Sequence, residues 1–283
     1  MKPNIRKLLS VVLAVICLFS TAKVLIQWAA QDEGDDSYAN AAAIAQSGTT
    51  AATTPTQPPE TLPPAAEETS APTAPPEPIW IPAPVDEEDA NFITLATIDL
   101  NALRQVNPDV VGWIYIPNSY INYPLMQGED NQFYLERTWE GNVNPYGSIF
   151  LESRNSPDLT DFNTIIYGHN MLNGSMFAGL SNYAYQWHWE WNRYVYIVTD
   201  GGILRYEIFS SYFADVDSAA YGLSFNQLET RENFIAHALE NSQIDTGITP
   251  AATDRIITLS TCTGMGYESR RVVHAYLKMI PSE

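Results

Sequence analysis

Cysteine is nearly absent from this 283-residue chain, which holds only Cys17 and Cys262. Cys17 lies in an apolar N-terminal run, so Cys262 has no expected partner within the chain, and a disulfide-stapled scaffold is excluded. Basic residues are few, 14 against 33 acidic ones, for a formal charge of −19. That balance argues against nucleic acid, whose phosphates an acidic surface repels. Internal repeats are missing. So is the regular alternation of helix and strand that an open α/β sheet requires.

What is present begins with a basic, apolar N-terminus. Residues 1–30 carry Lys2, Arg6, Lys7 and Lys23 and no acid. At ~1.5 Å per residue, Leu8 to Ala30 is long enough to span a bilayer core of roughly 30 Å. Lys23 lies where its stem reaches the interface. With the basic residues ahead of the apolar run, the N-terminus is expected in the cytoplasm and the rest outside. An uncleaved, single-pass signal anchor in the cell membrane is the expectation. A cleavable signal peptide is the rival, with weak small-residue sites at Thr21-Ala22-Lys23 and Trp28-Ala29-Ala30. Bulky Ile16 before Cys17 speaks against a lipoprotein signal.

Residues 31–90 hold twelve acids and no Lys or Arg, and eleven of the nineteen prolines fall between Pro55 and Pro84. Ala, Thr, Pro and Glu in this mixture bury too little apolar surface to offset ordering entropy, so a disordered, partly polyproline II linker is expected. It would lift a domain off the membrane through a wall layer. Residues 91–283 are then one extracellular domain, long enough for a full hydrophobic core.

Within that domain the apolar pattern is mostly that of strands. Ile98 to Val106 reads as a short helix with Asp99 as N-cap, closed by Asn107-Pro108. Strands are expected over Val110–Ile116, Ile121–Leu125, Gly147–Leu151, Asn163–Tyr167, Tyr194–Thr199, Ile203–Phe213, Arg255–Thr261 and Arg270–Ile280. Pro117-Asn118-Ser119 and Asp200-Gly201-Gly202 supply turns. Phe225 to Gln243 carries its apolar residues at helical spacing. Eight strands, short turns and one inserted helix suggest a closed, mainly β barrel, which leaves no exposed edge.

Cys262 ends the strand Thr258-Leu259-Ser260-Thr261-Cys262, Arg270 follows eight residues later, and His169 lies upstream in Tyr167-Gly168-His169-Asn170. A lone thiol in an exported domain is an oxidation liability that asks for a reason. A thiol attacks an amide only as thiolate, so Cys262 needs a cation or a proton acceptor nearby. His169 suits proton transfer. Arg270 stays protonated and suits hydrogen-bond donation to a carbonyl or oxyanion. Strand alternation sets Arg270, Val272 and His274 on one face and Arg271 and Val273 on the other, so only one arginine faces the thiol. Taken singly these residues have ordinary readings: Cys262 as a small buried hydrophobe, His169 as a turn residue, His188 and His237 as surface or packing residues, His274 as a satisfied core histidine.

The strings around them are more specific. Thr258-Leu259-Ser260-Thr261-Cys262 with Arg270-Arg271-Val272-Val273-His274-Ala275 resembles the signature of sortases, membrane-anchored cysteine transpeptidases of Gram-positive bacteria. Asn163 to Met171, with Gly174-Ser175-Met176-Phe177, resembles their histidine segment. Asn107-Pro108-Asp109-Val110-Val111-Gly112-Trp113-Ile114, Tyr123 to Gly128, Asp130-Asn131 and Tyr134-Leu135 resemble the class B branch. The likeness runs from about Ile98 to Leu277 in the family's order. It implies an eight-stranded sortase barrel with a helical N-terminal segment and a helix before the cysteine strand. It further implies Cys262 as nucleophile, His169 as general acid/base and Arg270 as the cation that positions the carbonyl, with Ser260, Asn131 and Leu135 lining the substrate groove.

The implied reaction cleaves a C-terminal sorting motif of a secreted protein after Thr, through a thioester acyl-enzyme. The protein then passes to an amine, from a cell-wall peptide precursor or a pilin lysine. No metal or organic cofactor is required. Two rivals stand beside it: a secreted cysteine peptidase that uses water as acceptor, and a tethered, non-catalytic adhesin. Residues 263–269 are expected to form a short loop beside the thiol that gates substrate entry.

Overall fold

The computed structural model describes residues 29–47, 80–85, 89–262 and 269–281. The first described element, α1, covers residues 29–46 and corrects the expectation that the chain is disordered from Gln31 onward. Alanine, the strongest helix former, recurs through this stretch. Tyr38, Ala41 and Ala45, spaced at i, i+3 and i+7, are buried in the same core as the barrel strands. Composition alone hid this because the acids crowd the exposed face of the same segment. Of the segment over 1–30 read as an anchor, residues 1–28 lie outside the described residues, as do the proline-rich residues 48–79, while residues 29 and 30 begin α1. Among the described residues, no helix is long and apolar enough to cross a membrane.

The chain resumes at β1 (Trp80–Pro82), then α2 (Ala90–Leu95) and α3 (Leu100–Arg104). The carboxylate of Asp99 accepts the Ala102 N–H, as expected of the N-cap. At the same residue the Asp99 N–H donates to the Ala45 carbonyl, tying the end of α1 to the start of α3. The barrel strands follow as β2 (Val110–Tyr115), β3 (Asn122–Met126), β4 (Ile149–Leu151), β5 (Asn163–Tyr167), β6 (Tyr194–Thr199), β7 (Gly202–Asp215), β8 (Arg255–Cys262) and β9 (Ser269–Leu277). Helix α4 (Gln186–Trp191) precedes β6, α5 (Leu228–Glu240) lies between β7 and β8, and β10 (Met279–Pro281) pairs with β1.

The eight strands close in the order β2-β3-β4-β5-β8-β9-β7-β6, so the expected mainly β barrel is what forms. Among the described strands, only β3–β4 and β5–β8 are parallel pairs. Trp113, Leu125, Ile166, Ile197, Leu259 and Val273 belong to the main core. A second core joins Phe234, Ile235 and Ala238 of α5 to Phe209, Tyr212 and Val272. At roughly 1.5–3 kcal/mol for each large apolar side chain fully buried, this face holds α5 against the sheet.

The turns behave as their residue types demand. Asn118 adopts φ 55, in the left-handed region that asparagine tolerates better than most residues. Gly202 at φ 113 closes the β6–β7 hairpin. The strand expected over Arg270–Ile280 divides at Lys278 into β9 and β10.

Candidate active site

The register of the sheet brings the singled-out residues to one end of the barrel. β5 and β8 run parallel, with Tyr167 the partner of Ser260. His169, just past the end of β5, and Cys262, the last residue of β8, therefore each lie two residues beyond a matched pair. On the other side of β8, Cys262 is the Cα partner of Arg270 in the antiparallel ladder with β9. Residues 263–268, which hold most of the expected gating loop, lie outside the described residues.

His169 is held at two points. Its Nε2 lies 2.6 Å from the Leu135 carbonyl oxygen. A carbonyl only accepts, so Nε2 carries a proton in this arrangement and Nδ1 is the nitrogen left for proton exchange. The His169 carbonyl accepts the Phe177 N–H at 2.8 Å. Gly168 and Gly147 give the histidine its close surroundings. A Cβ on Gly168 would sit 2.5 Å from Ile149 Cδ1, and one on Gly147 would sit 2.9 Å from His169 Cδ2. Gly147 also has φ +58, so both space and backbone favour glycine there.

The two adjacent arginines separate as strand alternation predicts. Arg270 lines an open pocket of about 360 Å³ together with His169, Ser260, Asn131 and Leu135. Arg271 is buried, its guanidinium 3.8 Å above the Phe213 ring and donating to Gln243 Oε1 at 2.5 Å. Burial lowers its pKa to about 10, so it remains charged at neutral pH. All five pocket-lining candidates read from the sequence thus meet in one cavity, and Cys262 joins them through strand register.

The remaining histidines have structural surroundings. His274 is fully buried between Thr258 Oγ1 at 3.0 Å and the Tyr212 hydroxyl at 3.2 Å, and burial drives its pKa down to about 3. His188 packs edge-on to Tyr183, and His237 edge-on to Tyr212. Among the described residues, no group of three or more His, Cys, Asp or Glu is arranged to hold a metal.

A carboxylate cluster in the pocket escaped sequence reasoning. Glu152 directly follows β4 and is 1% exposed. It accepts hydrogen bonds from Asn131 Nδ2 and Arg154 Nε, both at 2.7 Å, and from the Tyr167 hydroxyl at 3.1 Å. Burial works to raise the Glu152 pKa, but these hydrogen bonds outweigh it and hold the carboxyl below its ordinary value. Asn131 Oδ1 accepts the Ser153 N–H at 2.8 Å, so both ends of this amide are fixed. Tyr221 adds a hydroxyl 2.8 Å from Ser260 Oγ. The signal for Glu152 was a lone acid closing the apolar run Ile149-Phe150-Leu151, but two of its three partners, Asn131 and Tyr167, lie 21 and 15 residues away, beyond any local pattern.

Comparison with known proteins decides the family. The Sortase domain family model matches residues 114–278 of this chain. The chain belongs to the sortase family. It is 36% identical to sortase B of Listeria monocytogenes over 184 residues, 62% of this chain and 72% of that one. It is 30% identical to sortase B of Staphylococcus aureus over 179 residues, covering 63% and 73%. The fold matches the solved Staphylococcus aureus sortase B–substrate complex with a TM-score of 0.60 at 30% identity, over 65% of this chain and 85% of that one. It matches Clostridium perfringens sortase B at the same TM-score and 32% identity, over 64% and 100%. This sortase is class B-like and is a cysteine transpeptidase, with its pocket at the barrel end that carries the family's histidine and cysteine strings.

Proposed function

We propose that this sortase cleaves a C-terminal sorting motif of secreted proteins after a threonine and joins the new acyl end to an amine of a cell-wall peptide precursor or a pilin. The observation that carries this reading is the convergence of His169, Arg270, Ser260, Asn131 and Leu135 on one open pocket beside the end of β8. Cys262 passes its thiol proton to His169 Nδ1, the resulting thiolate adds to the threonine carbonyl carbon, and Arg270 donates hydrogen bonds to the oxygen as it gains charge. The carbon–nitrogen bond then breaks, the departing nitrogen takes a proton from His169 Nδ1, and a thioester remains. An incoming amine adds to the thioester and gives its proton back to His169 as the carbon–sulfur bond breaks and the thiolate leaves. No metal or organic cofactor enters these steps.

Asn131, Leu135 and Ser260 serve as walls for the peptide, and the similarity of this fold to a Staphylococcus aureus sortase B–substrate complex supports substrate binding in general. Residues 1–28 act as a single-pass membrane anchor with a cytoplasmic N-terminus and the barrel works outside the cell, while residues 48–79 connect α1 to β1 within the one domain and do not set its distance from the membrane.

The test mixes purified protein with a panel of Thr-containing sorting-motif peptides and triglycine, following acyl-enzyme and product by mass. Wild type should form a thioester at Cys262 and a triglycine adduct, and Cys262→Ala should form neither. Equal inertness of both across the panel would refute the reading. Product that is all free acid, unchanged by added amine, would favour a water-using peptidase instead.

A further inference from the structure

The catalytic histidine is not fastened to the barrel alone. Both segments that hold it lead back to one side chain of α1, Tyr38. The Tyr38 hydroxyl donates to the Gly147 carbonyl at 2.5 Å, and Ser148 Oγ lies 3.4 Å away. Gly147 is the residue whose Cα faces His169 Cδ2 and the Leu135 carbonyl. Its neighbour Ser148 donates its N–H to the Tyr134 carbonyl at 2.8 Å, one residue before the carbonyl that receives His169 Nε2. This is the arm that holds the ring.

The second arm holds the backbone. The Tyr38 and Tyr123 rings pack in a T-shaped pair with centroids 5.1 Å apart. The Tyr123 hydroxyl accepts the Met176 N–H at 3.1 Å, and the next residue, Phe177, donates its N–H to the His169 carbonyl. α1 is itself pinned over this region. Tyr146 donates to Asp35 at 2.8 Å, Trp139 Nε1 to the Ser37 carbonyl at 2.9 Å, and Asn144 Nδ2 to the Ala30 carbonyl at 2.8 Å. A Cβ on Gly34 would fall 2.3 Å from the Tyr146 ring, so helix and loop touch backbone to ring.

We propose that Tyr38 is a positioning residue for His169: α1 completes the active site by bracing the Gly147 and Met176–Phe177 segments between which the imidazole is fixed. Transfer of a proton to a leaving amine is steep in distance, and a misplacement of about 1 Å can cost on the order of 10²-fold in rate. A brace on both arms therefore acts on turnover more than on peptide binding. The inference rests on the reading of His169 as general acid/base.

Tyr38→Phe in the full chain removes the hydroxyl and keeps the ring on Tyr123. Two readouts separate this inference from the reading beneath it. The first is ¹⁵N-histidine NMR, with the His169 signals assigned through His169→Asn. It needs no substrate, and Tyr38→Phe should shift those signals and weaken the preference for the Nε2–H tautomer. The second is kinetics with the peptide that gives wild type its fastest triglycine transfer. Here kcat should fall about tenfold, KM should stay within about twofold, and the thermal midpoint within about 5 °C. Tyr123→Phe, which removes the acceptor for Met176, should show the same kcat-selective loss. Unchanged His169 signals in Tyr38→Phe would overturn the proposal, as would an unchanged kcat. If wild type proves inert toward every peptide, the general acid/base reading falls, while the NMR readout still decides whether α1 positions His169.

Discussion

Replacing Glu152 with glutamine tests the pocket's carboxylate cluster. Three side chains donate to this buried carboxylate: Asn131 and Tyr167 to Oε2, and Arg154 to Oε1. Glutamine keeps one acceptor oxygen and places an NH₂ where the other stood. With its oxygen toward Asn131 and Tyr167, the NH₂ meets the Arg154 Nε–H, and Arg154, 72% exposed, swings into water. Losing an exposed ion pair costs about 0.2–1 kcal/mol. Two charge-assisted hydrogen bonds become neutral ones, at about 1 kcal/mol each. The expected loss is about 2–3 kcal/mol at pH 7.

The pH dependence has a definite sign. The folded-state pKa of Glu152 is depressed, so its contribution is present above the ordinary glutamate value of 4.5 and is lost as pH falls through the lower folded value. Urea titrations should show wild type ahead of Glu152→Gln at pH 7, with the gap closing at the acid end. Peptide KM should rise a few-fold, because Asn131 loses its charged anchor, while kcat changes little. A gap that is absent at pH 7, or equally large in acid, would refute the idea that the ionised carboxylate holds the cluster.

Arg270→Lys should lower kcat/KM by about 10²–10³, as loss of an oxyanion donor does, with little change in melting. Arg271→Lys should do the reverse, destabilising the domain by about 1–2 kcal/mol through the lost contact with Phe213 and Gln243 while activity per folded molecule holds. Gly168→Ala should cost about 1–3 kcal/mol in a urea melt, because its Cβ would press on Ile149 and Phe177, and should cut kcat sharply through the displaced His169. His274 is buried and its folded pKa lies far below the usual histidine value, so protonation favours the unfolded chain. Wild-type stability should fall as pH drops from about 6.5 toward 3, and that component should be missing in His274→Gln.

Much of the barrel is written locally. β5 and β6 begin and end where the β-rich runs Asn163–Tyr167 and Tyr194–Thr199 do, and Asp99 caps α3 as its position before an apolar helix demands. Period-two alternation was enough to part Arg270 from Arg271, since successive strand residues face opposite ways. α1 was missed because an acidic, alanine-rich segment has a strong helix tendency only once a surface exists to receive Tyr38, Ala41 and Ala45. α4, six residues with an aromatic at every second place, likewise has no periodicity long enough to announce a helix.

The sequence by itself determined the groups proposed to react: a lone thiol at a strand end, an imidazole after a glycine, and a guanidinium on the next strand. Their chemistry belongs to the residue types, and their order along the chain marks the family. Tertiary structure alone decided what holds them. The bonds of Asn131 and Tyr167 to Glu152, the carbonyl that fixes His169 Nε2, and the grip of Tyr38 on Gly147 join residues 15 to 109 positions apart. Hydrogen bonds of that span exist only once the barrel has closed and α1 has docked, so no local reading of side chains could have supplied them.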